Sequence, residues 1–272
     1  MTDRYPGRRE PDDGIDRERR KLLVAGLGIA AATLVPTVGA PEPAGRARTS
    51  AGSGPSDGPA QRRMRIGVIG AGSLGGTVGR LWVKAGHEVL FSSRHPEELR
   101  GMTRELGARA TAGTPRQAAE FGTVLLFAVP YDALPDLGRD LKDAIRGKIV
   151  LDACNPSAGS ATALAREAKA NGVAVTTARL LAGTRTVRAF SAVDATAVQA
   201  SANRTSGKLG VPIAGDDREA VRVAEQLVRD AGCEPVVVGN LAAARSFQRG
   251  GPGFRANTTA PELRRLLGLG PR

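Results

Sequence analysis

Residues Gly70-Ala71-Gly72-Ser73-Leu74-Gly75, read with their flanks, constrain the fold more than any other stretch of the chain. Before them runs Met64-Arg65-Ile66-Gly67-Val68-Ile69, short and β-branched, which suits a buried strand. After them, Leu74 to Ala85 has a helical pattern. A lone G-x-G-x-x-G is a weak signal; between a strand and a helix it becomes a strong one. The three glycines have separable roles. Gly70 permits the tight turn, Gly72 lets the backbone approach a pyrophosphate, and Gly75 allows close packing of helix on sheet. The helix N-terminus adds unpaired N–H groups and a positive dipole. The expected fold class is therefore α/β, a Rossmann-type, doubly wound, mostly parallel sheet with a short C-terminal extension.

The next strand is His87-Glu88-Val89-Leu90-Phe91-Ser92. A site for the unphosphorylated dinucleotide would carry Asp or Glu at its end to hold the ribose hydroxyls. This chain has Ser93-Arg94. A carboxylate would repel a 2′-phosphate, whereas a hydroxyl and a guanidinium bind it, and the guanidinium can stack on adenine. The expected cofactor is NADP(H). His95 stands beside this site, either joining it or lying in an exposed loop, and His87 is expected to cap or pack at the strand start.

A helix around Arg116 to Glu120 leads into the core strand Thr123-Val124-Leu125-Leu126-Phe127-Ala128-Val129-Pro130. Its end, Ala128-Val129-Pro130, falls at the carboxyl edge of the sheet, where ligands bind. Lys148 to Asp152 is the following strand, ending in Ala153-Cys154-Asn155-Pro156. Asn155 has two readings of equal weight, a hydrogen bond to the nicotinamide ribose or carboxamide and a loop cap before Pro156. Further on, Asp217 to Ala231 reads as a helix and Glu234 to Val238 as a strand. Gly250 to Gly253 reads as a loop, and Thr259-Ala260-Pro261-Glu262 as a capping box opening a last helix to Leu267. The elements after Val211 are expected to complete the sheet rather than form a second lobe.

Taken in order, several segments resemble the coenzyme F420-dependent NADP oxidoreductase family. They are Met64 to Gly70, Ser92-Ser93-Arg94, Ala128-Val129-Pro130, Asp152 to Pro156, Val187-Arg188-Ala189-Phe190-Ser191, Val211 to Asp217 and Asn240 to Arg245. The likeness runs from about Met64 to Leu269. It implies that Gly70, Gly72, Ser73, Leu74, Gly75, Ser93 and Arg94 bind NADP, and that the backbone near Ser191 lies against the nicotinamide. It also implies direct hydride transfer to a deazaflavin, with coenzyme F420 as co-substrate. Such a transfer needs alignment and water exclusion more than an acid or base. The short end after Arg245 departs from this pattern and leaves the acceptor open: F420, a flavin-like ring, or a small carbonyl or imine compound.

Two further readings compete. A pyrroline-5-carboxylate reductase-like imine reductase needs a long helical dimerisation domain, for which the chain has no room. A non-catalytic NADP-binding module, serving as sensor or structural partner, would keep the glycine loop and Ser93-Arg94. No catalytic residue is assigned. Only two histidines are present, neither with a partner at ligand or triad spacing, so no metal site is expected.

The net charge of +12 divides into a surplus of three before Met64 and nine in the remainder. No alternation of basic and aromatic residues accompanies it, so a phosphorylated ligand and a solvated Arg-rich surface explain it better than nucleic acid. With only 3% aromatic residues, the core must be built from Val, Leu, Ile and Ala. Cys154 and Cys233, beside apolar segments, read as small buried thiols.

Residues 1–40 read as a signal peptide of twin-arginine type. Arg19-Arg20-Lys21 precedes an uncharged, Gly/Ala-rich stretch from Leu22 to Ala40. Glu18 departs from the usual pattern, and Pro41 is unfavourable beside the small-residue run Val38-Gly39-Ala40. Residues 41–63 read as a disordered linker, and residues 64–272 as the oxidoreductase domain. The expected setting is periplasmic or secreted, with the export machinery as partner. A membrane anchor is the alternative, although the strongly apolar part from Leu22 to Val35 is short for a span. The expected partners are otherwise a small-molecule acceptor and, compatibly with the sequence, a second copy in a homodimer.

Overall fold

A computed structural model describes residues 63–270. The readings of a signal peptide and of nearly all the linker lie outside the described residues. Among these no helix is long and apolar enough to cross a membrane.

The strands are β1 (Arg65–Ile69), β2 (Glu88–Ser92), β3 (Ala110–Gly113), β4 (Val124–Phe127), β5 (Ile149–Asp152), β6 (Arg185–Arg188), β7 (Gly210–Gly215) and β8 (Glu234–Gly239). The helices are α1 (Ser73–Lys84), α2 (Arg100–Leu106), α3 (Pro115–Phe121), α4 (Leu134–Asp140), α5 (Lys142–Ile145), α6 (Ala163–Asn171), α7 (Val173–Leu180), α8 (Ala195–Ala202), α9 (Arg218–Asp230) and α10 (Ala260–Leu266). Short 3-10 turns cover Pro96–Leu99, Tyr131–Ala133 and Leu241–Phe247.

One eight-stranded sheet has the order β3-β2-β1-β4-β5-β6-β7-β8. The first six strands are parallel, and β7 turns antiparallel to β6 through only two register pairs, Val187 with Gly215 and Arg188 with Ala214. β8 is parallel to β7, so the C-terminal elements extend the sheet, as expected. The order reverses between β1 and β4, and in open α/β sheets ligands sit at such a switch point.

The strand sequences show why both faces are covered. In β4, Val124 and Leu126 face one core, while Leu125 and Phe127 face the other. All four are buried, the run of apolar residues expected of a strand with helices on both sides. Aliphatic residues and alanine supply most of the volume. Trp82 is the main exception: it is fully buried, meets Phe190 edge-on at 5.9 Å and donates from Nε1 to the Leu227 carbonyl at 2.7 Å. A buried indole requires such a partner for its N–H.

Local details differ from the sequence reading in one place. Thr259 precedes α10, but its side chain makes no cap hydrogen bond. Glu262, which would close the box, instead pairs with Arg265. The chain has a complete capping box at Thr114, where Oγ1 accepts from Gln117 N at 3.2 Å and Gln117 Oε1 accepts from Thr114 N at 2.8 Å. His87 packs rather than caps. It is buried, its Nδ1 accepts from Met64 N at 3.1 Å, and its Nε2 lies 2.9 Å from Asp230 Oδ2. Both cysteines are free and buried, and burial pushes the Cys233 thiol up to about 11.

Asp217 caps α9 by accepting from Glu219 N and Ala220 N, both at 2.9 Å. Arg185 on β6 grips the same carboxylate with two bonds of 2.8 Å and also reaches Glu219 at 2.7 Å. The Arg185 bonds first, then the backbone N–H of Ala220, hold the Asp217 carboxyl far below its ordinary range. A depressed carboxyl contributes stability above its unfolded value, about 3.9, which is lost as pH falls through the folded one. Asp217→Asn keeps a capping side chain and loses the charge. Thermal melts from pH 7 downwards should show wild type more stable than Asp217→Asn above about pH 4, with the gap closing below it. A gap that stays constant to pH 2 would contradict this.

Candidate functional site: a cleft at the switch point

The glycine loop joins β1 to α1 and occupies the space where the carboxyl ends of β1, β2 and β4 converge. Ala71 N donates to Ser92 O at 2.8 Å, and Ala128 N donates to Ile69 O at 2.9 Å. Gly70 has φ of +99°, and a Cβ there would stand 2.5 Å from the Ala128 carbonyl oxygen. At Gly75 a Cβ would meet the Gly70 carbonyl oxygen at 2.1 Å, so α1 rests directly on the turn. Gly72 is different. Its φ is −74°, and a Cβ would find no atom within 4 Å. Nothing inside the protein requires glycine there; the open space beside the N-terminus of α1 fits a pyrophosphate brought against the backbone.

That space belongs to a cleft of about 700 Å³, lined by Gly70, Gly72, Ser93, Arg94, Val129 and Pro130 among others. Ala128 lines it as well. Of the remaining residues assigned to the nucleotide from sequence, Ser73 is exposed at the start of α1, Leu74 packs against the core and Gly75 is buried. The far wall was not foreseen. Leu99, Pro115, Ala133 and Leu137 supply an apolar side to the cleft, and Asp136 and Asp140 line it nearby. Arg139 compensates both carboxylates, at 2.8 and 3.2 Å.

Ser93 and Arg94 leave the sheet at the end of β2. Ser92 is turned inward, donating to the Val68 carbonyl at 2.8 Å, whereas Ser93 Oγ accepts from His95 N at 3.1 Å. Arg94 is exposed on the cleft, and no carboxylate among the described residues pairs with it. His95 lies in the exposed loop, 3.5 Å from Glu97.

Asn155 and Ser191 stand apart from this cleft, in a buried polar network at the ends of β5 and β6. Arg188 is wholly buried and donates to Asp152 Oδ2 and to the Cys154 carbonyl, both at 2.5 Å, and to Asn155 Oδ1 at 2.6 Å. Asn155 Nδ2 then donates to the Ser191 carbonyl at 2.7 Å. Asn155 thus latches the loop after β5 to the loop after β6, which favours its structural reading. Phe190, next to the latched carbonyl, has a left-handed φ of 59° and is fully buried against Trp82. Two atoms here remain buried without a hydrogen-bond partner, Arg188 Nε and Ser191 Oγ.

Two ionisable groups beside these regions, Tyr131 and Cys154, are poorly suited to moving protons at neutral pH. Burial first, against a hydrogen bond from Thr177, pushes Tyr131 up to about 12. Burial likewise raises Cys154 well above its ordinary value. Among the described residues no cluster of His, Cys, Asp and Glu could hold a metal ion. What the arrangement offers is a dinucleotide-sized cleft with rigid loops.

The glycine geometry separates folding from binding. Gly75→Ala should cost about 1–3 kcal/mol or more of stability through overpacking, measured by urea unfolding. Gly72→Ala should cost less than about 1 kcal/mol and yet weaken dinucleotide binding by roughly tenfold or more, measured by calorimetry. Arg188→Leu leaves Asp152 buried and unpaired, and should destabilise the fold by about 3–5 kcal/mol. A loss below 1 kcal/mol would mean that the pair does not carry the loops.

Comparison with known proteins agrees with this geometry. The family described as NADP oxidoreductase, coenzyme F420-dependent, matches residues 65–156, from β1 to the loop after β5. Metalloreductase STEAP3 of Rattus norvegicus is 28% identical over 184 residues, 68% of this chain and 36% of its own, so this chain spans about a third of that relative. A hypothetical protein of Sinorhizobium meliloti superposes with a TM-score of 0.60 at 26% identity, covering 73% of this chain and 94% of the other. A protein of Arthrobacter sp. FB24, provisionally titled an F420-dependent NADP reductase, shares the fold with a TM-score of 0.59 at 19% identity, covering 67% and 87%. The family match spans β1 to the loop after β5, the segment that carries the glycine loop at the switch point of the sheet.

Proposed function

We propose that the chain binds NADP(H) in the cleft at the switch point and passes hydride between the nicotinamide and an organic acceptor, a deazaflavin such as F420 or a flavin-like ring. The observation that carries the cofactor choice is Arg94, exposed on the cleft, with no carboxylate partner and Ser93 beside it. A 2′-phosphate supplies the missing counter-charge through charge-assisted hydrogen bonds. The family match over residues 65–156 supports the same cofactor and the deazaflavin acceptor.

The nicotinamide supplies the hydride chemistry when it is bound. The chain's own part is to bind and orient: Gly72 and the start of α1 hold the pyrophosphate, and Ala128, Val129 and Pro130 carry the cofactor past β4. The Asn155 latch fixes the loop from Ala189 to Val193 at the carboxyl end of β6. Positioning of this kind accounts for a large share of rate enhancement in direct transfers.

We extend the proposal to location. Arg19-Arg20 ahead of a mild apolar stretch is the motif of a route that exports folded proteins, so the cofactor would travel already bound. A reporter fused to residues 1–60 should be exported, and should stay inside once both arginines are changed to Lys.

Cofactor choice has a direct test. Arg94→Asp should cost about 2–4 kcal/mol of NADPH binding, from the lost contact and the added repulsion, while NADH changes little. Calorimetry on both nucleotides reads the difference, and equal losses for the two would refute the assignment.

A further inference from the structure

Beyond the nucleotide cleft, the carboxyl edge of the sheet carries a second cleft of about 400 Å³. Its floor and sides come from four separate segments: Asn155 to Ser160 after β5, Ala165 and Lys169 of α6, Val173 at the start of α7, and Gln248 to Gly250. Strand order places it. A dinucleotide held by Arg94 at the end of β2 and Gly72 after β1 runs towards Val129 at the end of β4, and β5 is the next strand along. One strand spacing is about 4.8 Å. The cleft therefore opens beside the end of the cofactor that reacts.

Its charge is one-sided. Lys169 and Arg249 both line it, no carboxylate does, and neither cation is paired with a carboxylate among the described residues. The Arg249 guanidinium is instead held over the Phe254 ring, 4.9 Å from its centroid. The walls are fixed as well: Gln248 Oε1 accepts from Val173 N at 3.1 Å, and Arg245 donates to the Ala170 carbonyl at 2.6 Å. Contrast the basic cleft at the β8 edge, about 560 Å³ in volume. There Arg229 pairs with Glu225 at 3.5 Å, Arg265 with Glu262, and Arg264 with the Gly270 carbonyl. Those cations are satisfied; Lys169 and Arg249 are not.

We propose that this second cleft receives the reaction's acceptor and that Lys169 and Arg249 hold an oxyanion on it, a phosphate or carboxylate tail beside an apolar ring. The ring lies against Pro156, Ala165 and Val173, and the tail reaches the two cations. The placement rests on the nucleotide reading above, but the anion site itself does not.

Three flavins that share one ring serve as probes: riboflavin, which is neutral, FMN, which carries a phosphate, and 10-carboxymethylflavin, which carries a carboxylate. Each is titrated by fluorescence quenching against the whole protein with NADP+ saturating, so that Arg94 is occupied. At least one anionic flavin should bind about tenfold or more tighter than riboflavin, the worth of one charge-assisted contact. The advantage should shrink as salt rises. Which of the two it is identifies phosphate or carboxylate as the preferred tail. In Lys169→Gln/Arg249→Gln the advantage should vanish while NADP+ affinity, measured by calorimetry, is unchanged. Equal affinity for all three flavins, binding of none, or an advantage that survives in the double variant would overturn the proposal. If NADP+ fails to bind while the anionic advantage persists, the nucleotide reading falls and the anion site stands.

Discussion

Arg188 is held in the interior at the carboxyl end of the sheet because Asp152, on the neighbouring strand, neutralises it and two loop oxygens accept from its terminal nitrogens, leaving Nε alone without a partner. Taking a guanidinium and a carboxylate out of water is expensive, and the attraction between them repays this only when additional hydrogen bonds support it. The consequence is geometric. Donating to the Cys154 carbonyl and the Asn155 side chain sets the loop after β5, and Asn155 then sets the loop after β6 through the Ser191 carbonyl. At this end of the carboxyl edge both loops thus depend on one buried cation. The other end depends on backbone contacts alone, the approach of Gly75 to Gly70 and of Gly70 to Ala128.

Much of this arrangement is legible in the sequence, and the boundary follows physical range. The strand–glycine loop–helix unit is local, so Gly70, Gly72 and Gly75 can be assigned roles from spacing. Ser93 and Arg94 are read from one strand end, and the structure places both on the cleft. Arg188 is different. A charged residue in a short β-branched strand reads as a solvated position, and only Asp152, 36 residues earlier, makes it buriable. The antiparallel turn of β7 is equally invisible, since side-chain alternation is the same for either strand direction. Thr259 shows a local rule losing to a nearer competitor, with Glu262 taken by Arg265. The second cleft draws on four segments, and no single stretch signals it.

The basic character of the chain also acquires structure. Several arginines of the described residues are held in exposed pairs along helices, such as Arg116 with Glu120 and Arg139 with Asp136, which contribute little to stability. Of the cations without a carboxylate partner among the described residues, Arg94 lines the cleft at the switch point, and Lys169 and Arg249 line the second cleft. On the proposed reading these cations would face an anionic cofactor at one end of the path and an anionic acceptor at the other.

The same edge is where the fold accepts its least favourable local terms. Phe190 adopts a left-handed backbone, a conformation costing about 1–2 kcal/mol for a residue with a side chain. Ser191 Oγ and Arg188 Nε are buried without partners, at about 1–3 kcal/mol for each unsatisfied group. Strain and unsatisfied polar atoms persist where the surrounding structure over-determines them, and they cluster at sites of function. Here the over-determination is explicit: Trp82 pins the Phe190 ring while Asn155 pins the next carbonyl. A site that moved protons would need titratable groups near neutrality, and Tyr131 and Cys154 are driven away from it by burial. A site that only aligns two rings needs immobile walls, and immobile walls are what a latched loop beside a buried ion pair provides.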